Sequence, residues 1–294
     1  MANAARSIAR LLKERGHSQE SPDDVIRRIA AETIDYAANF GWSGPAFCPR
    51  LLASTLGIRV EDRKVLSGEA QLTPTTGNRF LIEVDPRPPV VRQNYSICHE
   101  IVHTFFPDCA DQQRHRNGKR VDEVERLCQL GAAELLLPEA AFQEASATWG
   151  TSLNGVAELG GMFQASYEAV VRRLLSMAAE PVAAVFFSRR LKPTQRSGHG
   201  QSVLFDGCGP VEKMRVLYCA SSSSWSAYIP KDKSVEEDSA VVRCERSPLV
   251  QQDTEDWGCS GLGALRVESL ALPPIENSDP MKVPSVVALI QAVF

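Results

Sequence analysis

Apolar residues recur at helical spacing over residues 4–15, 25–40, 91–106 and 121–137. After Glu180-Pro181 the texture changes to short apolar runs broken by Gly, Ser and Pro. The first helix ends at Gly16, and Ser21-Pro22-Asp23-Asp24 is a strong start for the second. A turn-rich linker, Gly41 to Pro45, leads to a short helix over 51–56, closed by Gly57. Extended structure begins at Ile58. Strands are expected over 68–72 and 79–84, on either side of the turn Thr76-Gly77-Asn78, and Asp85 with Pro86, Pro88 and Pro89 ends that sheet. Residues 107–120 read as a polar loop between two helices, the second closed by Pro138. The later part predicts strands at 182–187, 202–205, 215–219 and 283–291. Ser221 to Ser224 and residues 231–238 are expected as solvated loops, and Trp225, Tyr228 and Trp257 as core. The pattern predicts an α+β chain with a break after 180: residues 1–180, divided below into 1–150 and 151–180, and a separate part, 181–294.

One helix carries chemistry. Tyr95 to Phe106 contains Cys98-His99-Glu100-Ile101-Val102-His103, which is His-Glu-x-x-His within an apolar run. On a helix His99 and His103 lie one turn apart on one face, so both imidazoles reach a single ion, and Glu100 is the neighbour able to act on water. A catalytic zinc takes three protein ligands and keeps one open position, so a third ligand is needed downstream. On the 121–137 helix, counting about 100° per residue, Glu125 shares a face with Asp122, while Glu134 and Glu123 point about 180° and 200° away. One face offers Glu125 first and Asp122 second. Tyr95 and His115 are candidates for holding the substrate or its developing oxyanion. Zinc suits two imidazoles and a carboxylate, and manganese suits the same ligands.

Composition narrows the partners. A net charge of −4 over 294 residues does not mark a nucleic-acid-coating protein. No apolar stretch is long enough to span a bilayer, and the first residues lack a secretory pattern, so a cytoplasmic location is expected. The eight cysteines include no Cys-x-x-Cys and are expected mostly as buried thiols. Cys98 abuts His99, and Cys128 sits on the second helix.

Three segments carry a resemblance to a known family: residues 77–84, residues 98–103, and Glu125-Arg126-Leu127-Cys128-Gln129 continuing to Leu137-Pro138. Together they resemble the ImmA/IrrE metallopeptidases. That family shows an acid four residues before an Asn, then small residues and a Leu-Leu-Met-Pro ending; here Gln129 and Leu137 replace the Asn and the Met. The resemblance implies a small zincin-like domain with His99, His103 and Glu125 as zinc ligands and Glu100 as catalytic acid/base. It extends to 156–174 as a helix-turn-helix-like segment, and implies that 181–294 is an α/β, GAF-like sensor domain for an unidentified small ligand. Asn94 stands where the family commonly has an Arg, with Arg92 close by.

The expected activity is zinc-dependent endopeptidase cleavage of a protein. By the resemblance, that protein is a helix-turn-helix repressor whose loss relieves repression in a stress response. Direct nucleic-acid binding is not expected. The competing reading is a DNA-binding or ligand-sensing transcription regulator with a structural or vestigial metal site. Its best support is Arg172 and Arg173.

Overall fold

The computed structural model describes residues 2–17, 19–65, 68–77, 79–114, 122–193, 211–247, 249–259, 262–274 and 283–293. It divides into two compact units. The first comprises Met1–Thr148 and Glu158–Val170, the second Trp149–Ala157 and Val171–Phe294.

The first unit opens with helices α1 (Ala2–Arg15), α2 (Pro22–Ala38) and α3 (Pro49–Thr55). The start of α2 is a capping box: the Asp24 N–H donates to the Ser21 hydroxyl and the Asp24 carboxylate accepts from the Ser21 N–H, so two orphan donors are satisfied. Strands β1 (Arg59–Asp62), β2 (Ala70–Pro74) and β3 (Phe80–Val84) form a sheet in the order β1-β3-β2. β3 runs parallel to β1 and antiparallel to β2. The β2–β3 hairpin closes through Thr75 N to Arg79 O at 2.8 Å, and Gly77 supplies a positive φ of 74°.

Helix α4 (Val90–His103) packs between this sheet and α6 (Asp122–Leu136). Its apolar stripe, Ile97, Cys98, Ile101 and Val102, has no exposed surface. The close approach of α6 depends on Gly131. A Cβ there would stand 2.7 Å from Val102 Cγ1 and 3.0 Å from Ile26 Cγ2, so the lack of a side chain lets three helices meet. Within the expected 107–120 loop, Cys109–Arg114 is helical (α5). Asp108 accepts from Ser7 at 2.6 Å, a tie to the first helix that local sequence does not announce.

After α7 (Glu139–Ser146), a short 3₁₀ turn and α8 (Val156–Phe163), residues 164–166 lead into α9 (Tyr167–Met177). In the second unit β4 (Ala183–Arg190), β5 (Lys213–Ser221), β6 (Gln251–Glu255), β7 (Leu265–Ala271) and β8 (Val286–Ala292) form an antiparallel sheet ordered β5-β4-β8-β7-β6. One face, with Val185, Phe187, Val267 and Ile290, packs on α10 (Ala240–Arg243) and Trp257. On the other face Phe186 and Tyr218 stack at 4.6 Å beneath the Arg172 guanidinium. β4 is covered on both sides, which explains why residues 182–187 are continuously apolar.

Three expectations change here. β6 and β7 were not expected, Tyr228 is 76% exposed rather than core, and Trp225 only half-joins the core that Trp257 enters. Tyr228 lies on the long segment 222–239 between β5 and α10. The expected strand at 202–205 lies outside the described residues.

Candidate metal centre

Helix spacing and α4–α6 packing build the site together. One turn of α4 separates His99 from His103, and their rings meet edge to face at 5.0 Å. Across the interface, the Glu125 carboxylate on α6 lies 3.2 Å from His99 Nε2 through Oε2 and 3.7 Å from His103 Nε2 through Oε1. Each imidazole therefore turns its Nε2 toward one carboxylate. Asp122, the second candidate on that face, begins α6, and its side chain is not described.

Burial grades across the cluster. The side chains of His103, His99 and Glu125 are 3%, 9% and 12% exposed, so the accessible side is that of Glu125 and His99. Cys128 is fully buried, with Sγ 3.3 Å from His103 Nδ1. His99, His103 and Cys128 each offer a ligand atom, all within 4.8 Å of one another, and this group could hold a metal ion.

Glu100 takes a separate place. It is 2% exposed, and its Oε2 accepts the Leu72 N–H of β2 at 3.0 Å. Among the described residues β2 pairs with β3 alone, and Leu72 directs its N–H away from that partner, so a backbone donor of the outer edge fixes the carboxylate. Arg92 pairs with Glu69 just before β2, and Ser96 Oγ donates to the same Glu69 at 3.2 Å, which aligns α4 along the strand.

The remaining candidates are placed as follows. Tyr95 lies one turn before His99, with ring centroids 6.5 Å apart. His115 lies outside the described residues. Asn94 is buried and donates to the Gln164 carbonyl at 3.2 Å. Cys98 is fully buried, and burial pushes its thiol well above the usual range, so it remains an inert neutral group. Of the other described cysteines, Cys109, Cys244 and Cys259 are also buried, whereas Cys48 and Cys219 are exposed.

Sequence reasoning missed one participant and only noted another. The Leu72 amide leaves no mark in sequence, because any residue but proline carries that donor. Cys128 did leave one: it stands three residues after Glu125, close to the same helix face.

Among the described residues no helix is long and apolar enough to cross a membrane. No curated protein matches the chain in sequence. A Mycobacterium tuberculosis transcriptional regulator of known structure is similar in fold, with a TM-score of 0.55 and 10% identity over 98% of this chain and 93% of that one. Residues 53–175, which span β1 to β3, α4 and α6, match the family model Peptidase_M78, the IrrE N-terminal-like domain. Residues 53–175 thus carry the IrrE N-terminal-like domain that the resemblance to the ImmA/IrrE family implies.

Proposed function

We propose that the chain is a zinc-dependent endopeptidase in which His99, His103 and Glu125 hold the ion and Glu100 moves the proton. The observation that carries this reading is the convergence of both Nε2 atoms on the Glu125 carboxylate, at 3.2 and 3.7 Å. Ligand atoms around a tetrahedral ion with bonds of about 2.0–2.2 Å stand roughly 3.3–3.5 Å apart, so the donors fit the group. Zinc held there supplies Lewis acidity toward a peptide carbonyl and a water. Three protein ligands leave one position open on the accessible side. Glu100, held by the Leu72 amide, takes a proton from the attacking water and returns it to the leaving amine. The outer edge of β2, beside Glu100, suits the extended main chain of a protein substrate.

The IrrE N-terminal-like domain supports a helix-turn-helix repressor as that substrate, cut in the cytoplasm during a stress response. The fold likeness to a transcriptional regulator fits a role in transcription control. The DNA-binding alternative loses support, because Arg173 is 6% exposed and Arg172 lies over Phe186 and Tyr218. We keep residues 156–174 as a helix-turn-helix-like packing segment. A sensor role for the GAF-like C-terminal part is favoured by a polar cavity of about 620 Å³ on the sheet face opposite the apolar core, lined by Trp149, Asn154, Arg266, Glu268 and Gln291 among others. Saturable binding of a small polar molecule that is lost in Arg266→Gln would support that role.

The test of the catalytic reading is Glu100→Gln, which keeps the Leu72 acceptor and removes the base. Cleavage of a candidate repressor, followed on gels with zinc present, is expected to fall by about 10²- to 10⁴-fold while metal content is unchanged. Undiminished cleavage would sink the assignment.

A further inference from the structure

The deepest side chain of the cluster belongs to neither the expected ligand set nor the expected proton path. Cys128 has no exposed surface, and its Sγ lies 3.3 Å from Nδ1 of His103, while Nε2 of the same ring faces Glu125 at 3.7 Å. An imidazole binds an ion through one nitrogen, and the other fixes its tautomer and orientation. The two arrangements are therefore exclusive at His103. Binding through Nδ1 would recruit Cys128 and turn the ring away from Glu125. Binding through Nε2 keeps Glu125 and leaves the thiol behind the ring.

Two observations favour the second arrangement. His99 also presents Nε2 to Glu125, at 3.2 Å, so a single site on the Nε2 side uses both rings. Glu125 is the more exposed of the two α6 groups, and an open coordination position must face solvent and substrate.

We propose that Cys128 is a positioning residue, not a ligand: its sulfur accepts the Nδ1–H of neutral His103 and holds Nε2 toward Glu125. The proposal rests on the three-ligand reading above. In zinc sites this place behind a ligating histidine is usually taken by a carboxylate, a carbonyl or water; a thiol there is a weak, neutral acceptor.

Cobalt(II) titration of the purified full chain tests it, with visible and near-ultraviolet spectra recorded on the wild type, Cys128→Ala and Cys128→Ser. The expected wild-type spectrum shows ligand-field bands of a bound ion without thiolate-to-cobalt charge transfer. Cys128→Ala is expected to keep one ion per chain but to weaken affinity about 10- to 100-fold, and Cys128→Ser, which retains an acceptor, to recover most of the loss. A charge-transfer band in the wild type would overturn the proposal and make Cys128 a ligand, whatever the folding of the variants. Unchanged affinity in folded Cys128→Ala would overturn it as well. Unchanged affinity leaves the His99, His103 and Glu125 reading standing; a charge-transfer band moves the ion to the Cys128 side and removes Glu125 from the ligand set, and failure of the wild type to bind cobalt or zinc would remove both.

Discussion

The α4–α6 pair and the five-stranded sheet both bury polar side chains, and they use them differently. In the sheet unit such groups reach backbone, though Arg190 also pairs with Asp232 at 2.8 Å and Glu268 also accepts from the Ser152 and Gln252 side chains. Arg190 donates to the Val216 carbonyl at 2.6 Å, and Arg215 to the carbonyls of Arg190 at 3.2 Å and Asp232 at 3.0 Å. Glu268 accepts the Leu153 N–H at 2.8 Å, and Ser222 donates to the Glu180 carbonyl at 2.9 Å. These contacts settle peptide groups that the fold would otherwise leave unpaired. Between α4 and α6 the buried polar groups instead meet one another: His99 and His103 face Glu125, and Cys128 backs His103. A helix interior already satisfies its own backbone, so side chains that converge there serve something other than the peptide groups. Buried polarity directed at the main chain mostly serves the fold, and buried side chains that meet one another mark the ligand cluster; Glu100, held by the Leu72 amide, joins the two.

Substitutions can break or sharpen this contrast. The largest effect expected is the loss of cleavage in Glu100→Gln, and its thermal unfolding midpoint should stay within a few degrees of wild type; a large drop would show that Glu100 is mainly structural. Conversely, Glu268→Ala strands the Leu153 amide and removes partners from Ser152 and Gln252. It should cost about 1–3 kcal/mol in urea unfolding while leaving metal content unchanged. Altered metal binding would dissolve the division of labour. Gly131→Ala, which crowds Val102 and Ile26, should cost about 1–3 kcal/mol and also weaken metal affinity, since it spreads α4 from α6.

The smallest effect concerns the Asp23–Arg126 pair, which ties α2 to α6 with Nη1 to Oδ2 at 2.9 Å. The Arg126 hydrogen bond holds the Asp23 carboxyl below its ordinary value of 3.8. A depressed carboxylate stabilises the fold above that ordinary value, and the contribution disappears as pH falls through the lower, folded one. Asp23→Asn should therefore cost about 0.2–1 kcal/mol at neutral pH. The gap from wild type should close in strong acid; a gap independent of pH would assign the pair no electrostatic role.

Legibility in the sequence follows the same division. Periodicity alone marked α2, α4 and α6 and the β2–β3 hairpin, because each buries one face and carries its own stop signals. The helix phase of Glu125 puts it on the α6 face that meets His99 and His103. By contrast β6, Gln251-Gln252-Asp253-Thr254-Glu255, has no apolar position, since it is an edge strand whose place is set by β7. β7 does alternate, with Leu265 and Val267 inward and Arg266 and Glu268 outward, but over too few residues to stand out beside the glycines that precede it. The bond from the Leu72 amide to Glu100, residues 28 apart in the chain, arises only from packing.

The most direct measurement is elemental metal content of the purified wild type and of Glu125→Gln, with folding followed by circular dichroism. The account expects about one zinc per chain in the wild type and its loss from a folded Glu125→Gln protein. An ion retained at full occupancy in that variant, or a wild type that neither carries nor acquires zinc, would contradict it.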